Sequence, residues 1–401
     1  MTDSLKVSLD LRKLPVAQRH RVPLLMGTDA DQHGDILARF AKPQKQDSPM
    51  SRTKTKWLVR TEPLEVDGCR IDVATTIEAD LNLPNALTGQ NLEHGTSVYA
   101  AGHATLWLLK IWLAAAGIDR MYLRQLDLSD VRLLSATLTY LVKCLSEADA
   151  EALVHDLRTT THILSSRAQS YQSSNETVML PTGFGAMSAY HKTLLKFCKM
   201  LDGAPEAHHL EANRLLVRLE SKLNSAFLSK TGLDTLAGWR DAYATGLYEA
   251  LYEQTIVKPL QLDLRHNRPR PEALARLTRM QRGFVEFYLE GGNPYRFSAV
   301  LASAFPAQTL SKLRIAIRDI LDIDVDIPWK KHQELRCFKL RHRLGYPGDY
   351  FPPADRATWC FCQESWGQML KKLEECFEDA ITPHEWGKPV SSSITRFGRT
   401  T

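Results

Sequence analysis

The chain has 401 residues, with 51 Lys and Arg against 46 Asp and Glu, a formal net charge of +5 and a sequence pI of 8.7. Its 44% hydrophobic and 24% charged residues match a globular composition and exclude a disordered or fibrous chain. The length allows about two or three domains with cores of their own, and the mild positive charge permits a nucleic-acid partner without demanding one. The 7 cysteines include no CxxC pair. Cys360 and Cys362 form only a CxC with no histidine or cysteine pair to complete a zinc site, which fits free thiols in a reducing compartment.

In chain order, residues 1–55 are polar overall, and the run KPQKQDSPMSRTKTK predicts an exposed arm or loop. The start, MTDSLKVSLDLRKLP, lacks an apolar signal core, so a cytoplasmic protein is expected. From Trp57 the pattern alternates as in strands, split by the Asp67-Gly68 turn signal. The turn-rich NLPNALTGQNLEHG (82–95) leads into a helix over 97–116. Its most apolar stretch is short for a bilayer and carries Lys110, so it reads as a buried helix. A strand over 130–140, a helix over 149–164, a polar loop over 165–176 and two strands over 177–180 and 186–192 follow, the last two joined by PTGFG. No βαβ rhythm appears. The expected class is therefore α+β, with a mixed or antiparallel sheet in an amino-terminal domain (56–257) and helices beyond it.

Residues 258–275 (PLQLDLRHNRPRPEA within them) are rich in proline and arginine and predict a linker. The segments 277–290, 296–302 and 308–321 match the size of a helix-turn-helix, giving a DNA-binding region over 276–328. A basic segment and a terminal amphipathic helix over 364–380 complete the chain (329–401).

Four segments stand in a telling order: NLPNALTGQNLEHG, SAYHK (188–192), LLVRLESKL (215–223) followed by NSAFLSKTGL, and the carboxy-terminal run LTRMQRGFVEFYLEGGNP to DILDIDVDIP. Together they resemble the replication initiators of filamentous phages and related plasmids, the gene-two/gene-ten type, across roughly residues 55–328. The resemblance implies a nickase that opens the origin of a circular double-stranded replicative DNA and starts rolling-circle replication. It also implies metal-dependent phosphoryl transfer with Mg2+ or Mn2+, double- and single-stranded origin DNA as ligand, and the host helicase and DNA polymerase as partners.

Against that expectation Glu220 is the first candidate metal ligand. On a strand, Arg218, Glu220 and Lys222 share one face, a hard oxygen donor between cations suited to phosphate. The same residues also fit a helix, with Leu216, Leu219, Leu223 and Phe227 at helical spacing. Tyr190 and Lys192 share a side of the SAYHK strand; Tyr190 is the preferred nucleophile, with Tyr140 and Tyr171 in reserve and Lys192 to stabilise a phenolate. Glu78 and Asp80 are candidates for further metal oxygens. Two departures stand out: Ser135 occupies the place of an acidic ligand usual in the family, and TVMLPTG replaces its upstream YxG.

DNA contact is expected from Lys312, Arg314 and Arg318 on the 308–321 helix. The run WKKHQELRCFKLRHR adds Lys330, Lys331, Arg336, Lys339, Arg341 and Arg343, with Trp329 and Phe338 interleaved for base stacking. No histidine–hydrophobe–histidine triplet, GxxxxGK[ST] loop or GxSxG elbow occurs, and His208-His209 are adjacent. The rival expectation is a catalytically inactive origin-binding protein.

Overall fold

A computed structural model describes residues 2–30, 36–51, 53–66, 68–88, 97–164, 177–191, 214–292, 307–347 and 363–379. The chain is mixed α+β, with an antiparallel eight-stranded sheet followed by helices. Its strands are β1 (Thr2–Asp10), β2 (Met26–Ala30), β3 (Ile36–Ala41), β4 (Gln44–Asp47), β5 (Lys54–Val66), β6 (Cys69–Asn82), β7 (Val131–Lys143), β8 (Thr177–Thr182), β9 (Gly185–His191) and β10 (Leu216–Asn224). The large sheet runs β4-β5-β6-β1-β7-β10-β9-β8, while β2 and β3 form a separate hairpin.

The first correction lies at the amino terminus. Residues 1–55 are not a polar arm, because β1 is a central strand held between β6 and β7. The cause is legible in SLKVSLDL: Leu5, Val7 and Leu9 are buried on one face while Ser4, Lys6 and Ser8 face the other. The run read as a loop likewise contains β4, paired to the start of β5.

The helices are α1 (Val16–His20), α2 (Leu83–Thr88), α3 (Val98–Ala115), α4 (Arg120–Leu123), α5 (Glu147–Leu164), α6 (Ser225–Thr231), α7 (Leu247–Tyr252), α8 (Pro271–Ala275), α9 (Arg279–Leu289), α10 (Ala307–Leu321), α11 (Trp329–His332), α12 (Cys337–Arg343) and α13 (Gln363–Glu378). Ser97 caps α3 by accepting from the Ala100 N–H. This is the one described helix long and apolar enough to cross a membrane, and two-thirds of it is buried inside the fold. The side chains of α3 and α5 share one core with Leu5, Val7, Leu9, Ala136, Leu138, Val217, Leu219 and Ala189 of the sheet. That apolar face is the covered one.

The PTGFG turn closes the β8–β9 hairpin. Gly185 has φ +144, and a Cβ there would collide with the Lys222 carbonyl of β10, so glycine is required by both conformation and space.

The 258–275 segment is not a loose linker. Leu260 and Leu262 enter the main core, and Leu264 joins Ile163, Leu164, Ile327, Leu335 and Cys337 in a third cluster. A second core holds Val285, Tyr288 and Leu289 of α9 against Leu313, Ile317 and Leu321 of α10. Segment 296–302 lies outside the described residues, as do the 165–176 loop, Tyr171, Lys192 and His208-His209. The basic run 329–343 forms two short helices, α11 and α12.

Candidate functional site

Strand pairing decides what shares the face opposite the helices. Residues 216–224 form a strand and not a helix, so Arg218, Glu220, Lys222 and Asn224 alternate with the buried Val217, Leu219, Ser221 and Leu223. Directly paired residues lie on one face. Arg218 is registered with Tyr190 of β9 and Leu141 of β7, and Glu220 with Ser188 and Thr139. Ser135 pairs with both Asn224 and Lys6.

A polar network crosses five adjacent strands of this face. The Arg218 guanidinium, 1% exposed, lies 2.6 Å through Nη2 from Asp3 Oδ1 and 2.9 Å through Nε from Glu220 Oε1. It also donates through Nη2 to Thr139 Oγ1 at 3.3 Å. Asn82 Nδ2 donates to Asp3 Oδ2 (3.1 Å), and the Ser188 hydroxyl donates to Glu220 Oε2 (3.3 Å). One cation thus sits between two carboxylates. Asp3 reaches this face because the register of β1 against β7 shifts between Thr2 and Ser4, and such a bulge re-aims a side chain.

The arrangement corrects several expectations. Arg218 is buried within the fold, so it is a positioning group for Glu220 rather than a phosphate ligand at the surface. The carboxylate that joins Glu220 is Asp3, not Glu78 or Asp80. Both of those lie on β6, with β1 and β7 between them and β10; three strand spacings amount to roughly 14 Å. Glu78 is engaged by Lys6 at 3.1 Å and Arg60 at 3.0 Å. Burial works to raise its pKa, but the two cations outweigh that and hold its carboxyl below the usual value. Asp80 is exposed, between Lys6 and Lys56 in register. Among the described residues no group of three or more His, Cys, Asp and Glu converges as a metal site. The Glu220 carboxylate, held through Oε1 by Arg218 and through Oε2 by Ser188, keeps 17% of its side chain exposed on this face.

Of the tyrosines, Tyr140 is excluded as a nucleophile. It points into the apolar core, its hydroxyl donates to the Tyr248 carbonyl (3.1 Å), and burial pushes its pKa well up. Tyr190 stands on β9 opposite Arg218 in register. Lys222 is exposed on the polar face.

The expected DNA-contacting residues divide into two groups. Arg314 is ion-paired with Asp326, which is itself buried, and Arg318 grips both oxygens of Asp263 at 2.8 and 2.9 Å. Both arginines tie α10 to its own fold. Arg343 likewise holds Asp149 at 2.8 Å, and Arg336 lies 3.9 Å from Asp156. Trp329 is buried in the second core and offers no stacking surface. By contrast Lys312, Lys330, Lys331, Lys339 and Arg341 are exposed, and Phe338 is 62% exposed. Sequence reading missed Asp3, because strict alternation along β1 puts it with Leu5 and Val7 and only the register shift brings it to the polar face, and it missed Arg265, Arg268 and Arg270, which fall in the segment read as a linker. No protein-family model, curated protein or solved structure matches the chain.

Proposed function

We propose that this chain is a cytoplasmic rolling-circle replication initiator that binds its origin and nicks one DNA strand by phosphoryl transfer. The observation that carries the reading is the adjacency of the segments that resemble the initiator family. VRLES and SAYHK lie apart in sequence yet pair with each other as the neighbouring strands β10 and β9. The Tyr190 position stands across from Arg218, two residues from Glu220. In this reading Arg218 fixes the Glu220 carboxylate through Oε1, leaving Oε2 with Ser188 toward the reacting strand. Tyr190 supplies the attacking oxygen, and Lys222 offsets phosphate charge. Mg2+ or Mn2+ belongs to the reading, and it would be held through Glu220 Oε2, supplying charge neutralisation at the phosphate. The exposed lysines of α11 and α12 contribute sequence-independent affinity for DNA.

One specific observation favours a second reading, an origin-binding protein without nicking activity. Arg218 already neutralises the two carboxylates Asp3 and Glu220, and Ser135 brings no charge. The deciding experiment incubates the full chain and Mg2+ with a supercoiled plasmid carrying the DNA that flanks its coding sequence. Open-circular product that disappears in Tyr190→Phe supports the nickase. Retention of the plasmid in a complex without relaxation supports the second reading.

A further inference from the structure

Beside the third core cluster, the segment read as a linker folds back against α12 and encloses a cleft of about 320 Å3. Arg265, His266, Arg268 and Arg270 from the segment form one wall, and Phe338 and Arg341 of α12 form the other. We propose that this cleft binds single-stranded nucleic acid, its arginines holding the phosphates and Phe338 stacking on an unpaired base. The proposal stands apart from strand cleavage, since it needs neither Glu220 nor Tyr190.

Charge comes first. Asp263 and Asp322 are the acids of the lining, and Asp263 is already neutralised by Arg318 from outside it. Asp322 holds the Arg265 side chain by an ion pair of 3.1 Å, and the Arg265 backbone N–H donates to the Asp322 carbonyl at 2.9 Å, so backbone and side chain are both tied to the same residue. Arg268 pairs with Glu290, but both are largely exposed (61% and 72%), and an exposed pair of that kind is weak enough to exchange for a phosphate. Arg270 and Arg341 are exposed and have no ion pair among the described residues. The cleft therefore keeps an excess of cations that nothing on its walls offsets.

The aromatic ring decides the kind of polyanion. Phe338 is among the most exposed large hydrophobic side chains of the chain, at 62%, and it carries ring contacts with His342 at 4.7 Å and His266 at 6.5 Å. A bare phenyl ring among arginines offers nothing to a duplex, whose base faces are covered by their own stacking. It matches the face of a splayed base, and arginine planes add to such stacking. The cleft has room for a nucleotide unit and not for a double helix.

The test is fluorescence anisotropy of the full chain with a short labelled oligothymidylate, alongside a blunt duplex of the same length. Phe338→Ala should weaken oligothymidylate binding at least about fivefold while leaving the duplex unchanged, in line with the loss of one stacked base. Arg270→Gln combined with Arg341→Gln should reduce the slope of log K against log salt by roughly 1.4, two contacts at about 0.7 each. All three positions are exposed, and unchanged thermal melts of the variants would verify that the fold is intact. Oligothymidylate affinity equal to wild type in Phe338→Ala, or an equal loss on the duplex, would overturn the assignment. So would a wild-type chain that fails to bind the oligonucleotide. Plasmid relaxation by Phe338→Ala separates the two proposals, because the cleft stands if the chain never nicks, and the nickase stands if the cleft binds nothing.

Discussion

At the scale of single residues, Arg218 governs the polar face. Its burial is tolerated because two carboxylates and a threonine hydroxyl surround the guanidinium, while each carboxylate keeps a second donor in Asn82 or Ser188. Replacing it by methionine would leave Asp3 and Glu220 side by side without their cation. The expected cost is about 3–5 kcal/mol in a denaturant melt, the range for removing one partner of a buried ion pair. Lysine should rescue little, since a point charge cannot meet two carboxylates from a rigid fork. Glu220→Gln is a gentler change. An amide oxygen can still accept from Arg218, so the fold should melt nearly as wild type while plasmid nicking is abolished; undiminished nicking would remove Glu220 from the proposed mechanism. His332 makes a pH prediction at the same scale. It is wholly buried, its Nε2 accepts from the Asp324 N–H at 3.3 Å, and burial pushes its pKa down to about 4, against a smaller upward pull from Asp324. The unfolded chain therefore takes up this proton first. Stability is full above pH 6.5 and falls as pH drops toward 4, by about 3 kcal/mol at most. Melts across this window should lose that slope in His332→Gln.

Among the elements, α10 separates what periodicity can tell from what it cannot. Its buried stripe is legible in the sequence: Leu313, Ile317 and Leu321 recur at helical spacing, and all three are in the second core. The stripe beside it, with Arg314 and Arg318, looked equally open to DNA. Its acidic partners come from Asp326, past the end of the helix, and Asp263, in the supposed linker, and neither pairing leaves a trace in helical spacing. Arg314→Ala should thus lower stability, by about 1–3 kcal/mol, because it takes the cation away from a buried carboxylate. Arg318→Ala should cost less than about 1 kcal/mol, as Asp263 is exposed. Neither should alter preference for origin over random DNA in competition binding. The lysines of α11 behave differently: Lys330→Ala with Lys331→Ala should leave the melt unchanged and weaken all DNA binding alike, with a lower salt slope. The strands divide in the same way. β7 and the β8–β9 hairpin announce themselves through alternation and turn glycines, whereas β10 fits helical spacing as well and only its pairing with β7 and β9 makes it a strand. β1 alternates just as well, but the polar average of the residues after it concealed a central strand.

For the molecule as a whole, the sequence suggested separate regions joined by a linker, whereas the fold joins them through apolar contacts. Composition misled here because proline and arginine mark a linker only where the intervening leucines stay exposed. Leu260, Leu262 and Leu264 are all buried. The third cluster is small and occupies the junction, with Ile163 and Leu164 from the end of α5, Leu264 from the linker segment, and Ile327, Leu335 and Cys337 from the carboxy-terminal part. Polar bonds reinforce it: the Arg336 N–H donates to Thr160 Oγ1, Tyr252 donates to the Leu344 carbonyl, and Arg343 donates to the Asp149 carboxylate and carbonyl. The second core, around α9 and α10, therefore unfolds with the sheet only as long as this junction transmits the coupling. Calorimetry of the wild type should give one transition. Leu264→Ala removes the apolar side chain that the former linker contributes to the cluster, at a local cost of about 2–4 kcal/mol. That loss falls on the coupling rather than on either core, so the melt should divide, with the α9–α10 unit unfolding first. Hydrogen exchange should then find the amides of α10 opening well before those of β7. A single transition at lower temperature, with α10 and β7 amides still exchanging together, would mean that the main core itself, through Leu260, Leu262 and Leu340, carries the coupling.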